Sequence, residues 1–153
     1  MTHLKIGEKA PIFDTKNCLE KKIRLHDFKG KKLILFFYPK AMTPGCTAET
    51  LNLATHYDLL QSKGFEVLGI SPDTPEKQKR FKEKHQVPFF LIPDFERKII
   101  DSYGVWGHKK LYGREYDGLH RTTFIIDQTG KIEHIIKKVK TKAHAEQLLA
   151  LYE

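Results

Sequence analysis

Apolar residues fall along this chain in runs whose length and spacing alternate between strand-like and helix-like. Leu33 to Tyr38 is a short, wholly apolar stretch bounded by Lys32 and Pro39, which predicts a buried strand. From Pro44 to about Ser62 apolar side chains recur at Ala48, Leu51, Ala54, Tyr57 and Leu60, near helical spacing, and Gly64 stops the segment. That pattern predicts one helix with Leu51 in its core-facing stripe. Phe65 to Ile70 reads as a second strand, and Pro75 opens a charged helix through Lys84. Val87 to Ile92, interrupted by Pro88, reads as a short strand, and a helix from about Glu96 to Tyr103 ends at Gly104. Arg121 to Asp127 and Ile132 to Ile136 flank Gln128-Thr129-Gly130-Lys131 as a hairpin. A last helix from about Lys142 to Tyr152 carries Ala145, Leu148, Leu149 and Tyr152 on one face, and the segment around Cys18 reads as an added N-terminal hairpin. Alternating elements closed by a hairpin and a helix imply an α/β architecture, a central mixed sheet with helices on both faces. A length of 153 residues suits a single domain, 1–153, and no internal repeat or low-complexity tract divides it.

The most informative local feature is Cys46, which stands where the first apolar strand runs through a Pro-containing turn into a helix. Thr43 is expected to cap that helix and Pro44 to occupy its first position. Cys46 then falls in the first turn, where unpaired amides and the helix dipole favour an anion, so a nucleophilic thiolate is expected. A cysteine is also among the most buried residue types, and one in mid-helix would read as structural. Placement directly after Thr43-Pro44-Gly45 favours the reactive reading. A thiolate needs a fixed cation. Arg121, at the mouth of the apolar run Thr123 to Ile126, is the candidate, the alternative being a plain strand-end arginine. Glu49, three residues after Cys46, shares its helix face. Pro39 is either a strand terminator or a group that shields the sulfur while offering no N–H.

Pro39-x-x-x-Thr43-x-x-Cys46 resembles the peroxiredoxin active-site pattern. Phe36-Phe37-Tyr38-Pro39-Lys40 with Met42-Thr43-Pro44-Gly45-Cys46-Thr47 is similar to the bacterioferritin comigratory protein branch, also called peroxiredoxin Q. Further blocks extend the resemblance over nearly the whole chain: Gly7-Glu8-Lys9-Ala10-Pro11, Phe28-Lys29-Gly30-Lys31, Gly69-Ile70-Ser71-Pro72-Asp73 and Arg121 to Asp127. The resemblance implies a thioredoxin-like fold and a thiol-dependent peroxidase. Its Cys46 thiolate would reduce hydrogen peroxide and organic hydroperoxides and become a sulfenic acid. It also implies that Arg121 contacts both thiolate and peroxide and that Glu49 orients Arg121. Thr43 and the amides near Gly45 and Cys46 would supply further donors. No metal or organic cofactor is implied. The reductant would be thioredoxin, glutaredoxin or a low-molecular-weight thiol, and the protein would be a monomer.

Two positions depart from that pattern. Many members carry a second cysteine five residues after the first, where this chain has Leu51, or on the following helix, where Lys77 to His85 has none. A one-cysteine enzyme is expected, with Cys18 as an unusual resolving thiol the alternative. Ala41 stands where this branch often has Asp.

Composition narrows the remaining classes. Two cysteines make no disulfide framework and no Cys-x-x-Cys occurs, which disfavours a thioredoxin-type oxidoreductase. The sixth residue after Cys46 is Asn52, so the Cys-x5-Arg loop of a cysteine phosphatase is missing. Lys and Arg number 27 against 19 Asp and Glu, for a net charge of +8. The basic residues are scattered without interleaved aromatics, and a solvated surface is expected rather than binding to nucleic acid or membrane. A basic, non-enzymatic interaction domain is the remaining alternative. The eight histidines show no metal-ligand spacing, and the apolar runs are too short to span a bilayer. The start of the chain lacks the apolar core of a signal peptide, so a cytoplasmic location is expected.

Overall fold

A computed structural model describes residues 2–153. Its centre is a five-stranded sheet in the order β5-β4-β3-β8-β9, formed by β3 (Lys32–Phe37), β4 (Phe65–Ser71), β5 (Phe90–Pro93), β8 (Thr122–Ile126) and β9 (Ile132–Ile136). β3, β4 and β5 run parallel, whereas β8 pairs antiparallel with β3, and β9 with β8. The sheet is therefore mixed, as the alternation of elements predicts.

β3 is apolar at every position after Lys32 because both faces of the sheet are covered. Leu33, Leu35 and Phe37 belong to one core, with Ile99, Ile100 and Tyr103 of the α4 region (helix Lys98–Ser102) and with Leu4, Phe13 and Ile23. Ile34, Phe36 and Tyr38 belong to the other, with residues from α1 (Pro44–Thr55), α2 (Tyr57–Ser62), α3 (Pro75–Lys84) and α5 (His144–Leu149). The N-terminal hairpin, β1 (Asp14–Lys16) with β2 (Lys22–Arg24), holds Cys18 in its connecting turn.

Several details differ from the sequence pattern. The helix expected from 44 to 62 is divided at His56, whose Nδ1 lies 2.8 Å from Asn52 O, the same carbonyl its own N–H reaches at 3.3 Å. Leu51 is 37% exposed and is not core. The buried face of α1 consists of Cys46, Glu49, Thr50 and Leu53. Polar Glu49 and Thr50 occupy positions that an apolar stripe would claim, so the hydrophobic pattern points to the wrong face. β5 begins at Phe90 rather than Val87, consistent with Pro88 lacking a ladder donor. α4 begins at Lys98, after Arg97 in a left-handed conformation. The last helix starts at His144 and tightens to a 3-10 turn at Ala150–Tyr152. A further hairpin, β6 (Trp106–Leu111) with β7 (Arg114–Leu119), is absent from the apolar pattern because most of its residues face solvent.

Candidate active site

The site forms at the end of β3 where Tyr38, fully buried, leads into the loop before α1. Three constraints shape that loop. Tyr38 N–H donates to Ile70 O at 3.0 Å, Ala41 N–H donates to Asp73 Oδ2 at 2.8 Å, and Met42 adopts a left-handed conformation with φ 71°. Asp73 also accepts from Ser71 Oγ at 2.7 Å, and Ser71 Oγ accepts from Gln78 Nε2 at 2.9 Å. A buried polar network thus holds the turn to β4 and α3.

Thr43 is the N-cap of α1 with an extended backbone, and Pro44 opens the helix as expected. Its side chain does not cap. The hydroxyl donates to Lys40 O at 2.7 Å and no side-chain cap bond forms. The proton of Thr43 is thereby committed to the loop, and the oxygen keeps its lone pairs. Cys46 is the third residue of α1, in the turn whose amides lack helical carbonyl partners.

Arg121, just before β8, reaches across to that turn. Its Nη2 lies 3.2 Å from Cys46 Sγ and its Nη1 donates to Glu49 Oε1 at 2.6 Å. Of the five residues singled out from the sequence, Cys46, Glu49 and Arg121 are joined by these two bonds. Thr43 bonds back to its own loop, and Pro39 is half-buried at the bend after Tyr38. Burial disfavours the guanidinium charge, but the charges of Glu49 and Cys46 outweigh it and hold Arg121 above its ordinary range. Glu49 is wholly buried, and burial pushes its carboxyl up to about 7 against the opposing pull of Arg121. Cys46 is also fully buried, whereas the Arg121 side chain beside it is 21% exposed.

Two contributors were not visible in the sequence. His144, fully buried at the start of α5, sets Nε2 2.8 Å from Thr123 Oγ1 and 3.6 Å from Glu49 Oε2. Lys109, on β6, donates to Leu119 O at 2.9 Å. Burial and the charge of Arg121 lower its ammonium from the ordinary lysine range, while Cys46 opposes them. Only the hairpin pairing brings Lys109 there, and no local motif announces it. Cys18 is 3% exposed and its N–H donates to Leu91 O at 2.9 Å, at the outer edge of β5. Among the described residues no group of three or more His, Cys, Asp or Glu could hold a metal ion, and no helix is long and apolar enough to cross a membrane.

A sulfur anion opposite a fixed guanidinium can attack an electrophilic oxygen while the same guanidinium stabilises charge on the departing one. Comparisons with known proteins agree with that chemistry. Residues 6–135 match the model of the AhpC/TSA family. The chain is 44% identical over 149 residues to Peroxiredoxin Bcp of Escherichia coli K12, covering 97% of this chain and 96% of that protein. It is 41% identical over 146 residues to Peroxiredoxin Bcp of Bacillus subtilis 168, covering 95% and 93%. Among solved structures, peroxidoxin BcpB of Mycobacterium tuberculosis superposes with a TM-score of 0.84 at 31% identity, over 97% of this chain and 96% of that one. Bacterioferritin comigratory protein of Xanthomonas campestris gives 0.86 at 26% identity, over 99% and 96%.

Proposed function

We propose, for a chain that belongs to the AhpC/TSA family and is a peroxiredoxin, a one-cysteine course for its thiol-dependent peroxidase reaction. The Cys46 thiolate attacks one oxygen of the peroxide. The S–O bond forms as the O–O bond breaks, and the departing oxygen takes up a proton to leave as water or alcohol. Arg121 Nη2 is the principal donor to the sulfur and to the developing oxyanion, Glu49 fixes the plane of the guanidinium, and the amides of the first turn of α1 add donors. Thr43, once its hydroxyl turns from Lys40 O, donates to the peroxide, and Pro39 keeps water from the sulfur. The resulting sulfenic acid is attacked by an external thiol, which expels water and leaves a mixed disulfide. A second external thiol then releases Cys46.

The observation that carries this reading is the 3.2 Å contact of Arg121 Nη2 with Cys46 Sγ, backed by the 2.6 Å hydrogen bond of Nη1 to Glu49. The one-cysteine course is supported by the place of Cys18. Its N–H bonds Leu91 O on the edge strand β5, which β4 separates from β3, the strand that leads into the Cys46 turn. Thioredoxin, glutaredoxin or a small thiol would serve as reductant, with the protein acting as a cytoplasmic monomer that binds neither nucleic acid nor membrane in a single domain. The bacterioferritin comigratory protein of Xanthomonas campestris has an alkyl peroxide reduction activity, which favours organic hydroperoxides beside hydrogen peroxide as substrates here.

The test is mass spectrometry of the reduced protein after one equivalent of peroxide. A single added oxygen on Cys46 that disappears with added thiol through a mixed disulfide is expected. A Cys18–Cys46 linked peptide as the main product would replace the one-cysteine course by internal resolution.

A further inference from the structure

Glu49, which accepts from Arg121, meets His144 in the core, and the hydrogen bonds around them fix where protons stand. Gln147 Nε2 donates to Lys138 O at 2.8 Å while Gln147 Oε1 accepts from Lys140 N–H at 3.0 Å, so the amide has one orientation. His144 Nδ1 lies 2.9 Å from that same Oε1 and must carry a hydrogen. In a neutral ring Nε2 is then a lone pair, and it accepts from Thr123 Oγ1 at 2.8 Å. It also faces Glu49 Oε2 at 3.6 Å, and that oxygen, fully buried, has no hydrogen-bond partner among the described residues. A charged carboxylate oxygen left without a donor in a dry core, beside a ring nitrogen that offers none, is unfavourable. A proton on Oε2 removes the buried charge that no neighbour offers to meet.

We propose that Glu49 Oε2, unpartnered beside His144 Nε2, carries one exchangeable proton, and that His144, by denying this oxygen a donor, is a positioning residue for the peroxide step. The inference rests on the peroxidase reading of Cys46. Glu49 Oε1 accepts from Arg121 Nη1 whether or not the proton is present, so the guanidinium keeps its place. Its charge balance changes. With the proton bound the pair is neutral as a whole, and the cation of Arg121 serves the sulfur and the breaking O–O bond. With the proton released to water, the Glu49 carboxylate neutralises much of that cation.

The titratable groups facing the pair are Arg121 and, beyond it, Cys46, while Thr123 from β8 and Gln147 from α5 are neutral. His56 and Glu146 pair at 3.2 Å between α1 and α5, at a more exposed position. Burial pushes Glu49 up to about 7, and burial together with Arg121 drives His144 down to about 4 against Gln147. The proton therefore sits on the carboxyl and leaves near neutral pH.

The experiment follows the reduced protein, labelled with 15N-histidine, by two-bond 1H–15N correlation across pH 5 to 9, with the His144 signals identified by their loss in His144→Phe. Nδ1 should stay protonated throughout, and the Nε2 shift should move with a midpoint between about pH 6 and 8. Glu49→Gln keeps an oxygen for Arg121 and offers Nε2 an N–H at every pH, so its Nε2 shift should be flat over that window. Through the same window the peroxide rate constant of the wild type should fall by about threefold, and that of Glu49→Gln should not. An unprotonated Nδ1, or a flat Nε2 shift in the wild type, would overturn the proton on Glu49 Oε2. A moving Nε2 shift with an unchanged peroxide rate would overturn the positioning role. The NMR readout needs no turnover, so absence of peroxidase activity would be recognised separately, as failure of the Cys46 reading.

Discussion

Gly45 lies directly against the guanidinium of Arg121: a Cβ placed on Gly45 would come 3.3 Å from Nη2, the nitrogen that faces Cys46 Sγ. Gly45 is helical, so its missing side chain serves close approach rather than an unusual backbone. Gly45→Ala should leave stability unchanged or raise it by up to about 1 kcal/mol through helix propensity. Arg121 would be displaced by a few tenths of an ångström, and the peroxide rate constant should fall about 3- to 10-fold. Thermal unfolding and stopped-flow peroxide reduction on the same preparation check the two halves. An unchanged rate would show that Nη2 tolerates the shift.

Arg121→Lys tests whether the site needs a fork or only a charge. Nη1 and Nη2 serve Glu49 and Cys46 simultaneously, and one ammonium cannot reproduce both directions. A loss of at least ~10-fold in the peroxide step is expected, equivalent to ~1.4 kcal/mol of barrier. A folded Arg121→Lys protein with near wild-type rates would assign Arg121 to structure.

The Glu49 and His144 pair also shapes stability against pH, and the two contributions have opposite signs. The Glu49 carboxyl, raised from 4.5 to about 7, binds its proton more tightly in the fold. Its contribution is complete below pH 4.5 and is lost as pH rises to about 7. His144, lowered from 6.5 to about 4, binds its proton less tightly in the fold. Its contribution is complete above pH 6.5 and is lost as pH falls towards 4. Each is of the order of 3 kcal/mol, so they nearly cancel between about pH 4.5 and 6.5. Glu49→Gln removes one of them. Urea unfolding across that range should show the variant gaining stability with pH more steeply than the wild type, and parallel curves would refute the opposition.

Ala41 is 1% exposed and its N–H is held by Asp73. Ala41→Asp would set a second carboxylate against Asp73 in the core and should destabilise by about 2 kcal/mol or more. Asp73→Ala should cost about 1–3 kcal/mol by orphaning the buried amide, and should slow peroxide reduction because the loop before Cys46 loosens. Denaturant midpoints of both variants provide the measurement.

Cys46→Ser should abolish peroxidase activity, whereas Cys18→Ser should retain most of it. Cys18 is buried, and burial raises its thiol above the ordinary cysteine range despite the nearby Lys82, which makes it a poor internal nucleophile. With excess peroxide and no reductant, the sulfinic form of Cys46 should accumulate. Loss of turnover in Cys18→Ser would show that an internal thiol resolves the intermediate.

Features written in consecutive residues were legible from the chain alone. β3 is recognisable because burial on both faces leaves it apolar at every position after Lys32, and the turn before α1 because Thr43-Pro44-Gly45-Cys46 is one local structure. The same local logic erred at Leu51 and at Thr43. Leu51 is exposed while Glu49 and Thr50 are buried, since α1 turns its polar face inward at the site and hydrophobicity no longer reports burial there. The Thr43 hydroxyl has two reachable partners, and the carbonyl of Lys40 wins over the helix amide.

What chain order alone could not supply is who meets whom across long separations. Arg121 stands 75 residues from Cys46 and reaches it because β8 pairs antiparallel with β3, placing the start of one strand beside the end of the other. Lys109 meets the carbonyl of Leu119 only through the β6–β7 hairpin, whose exposed residues leave no apolar trace. His144 looked like any isolated histidine. It became part of the site because α5 packs on α1, bringing a lone pair to a fully buried carboxylate oxygen, and that desolvation exists only in the folded chain. Sequence by itself thus determined most of the elements of the central sheet and singled out Cys46 as the candidate nucleophile, both of which depend on local sterics and hydrogen bonding. Tertiary structure decided the charges around the nucleophile, which depend on distance and burial.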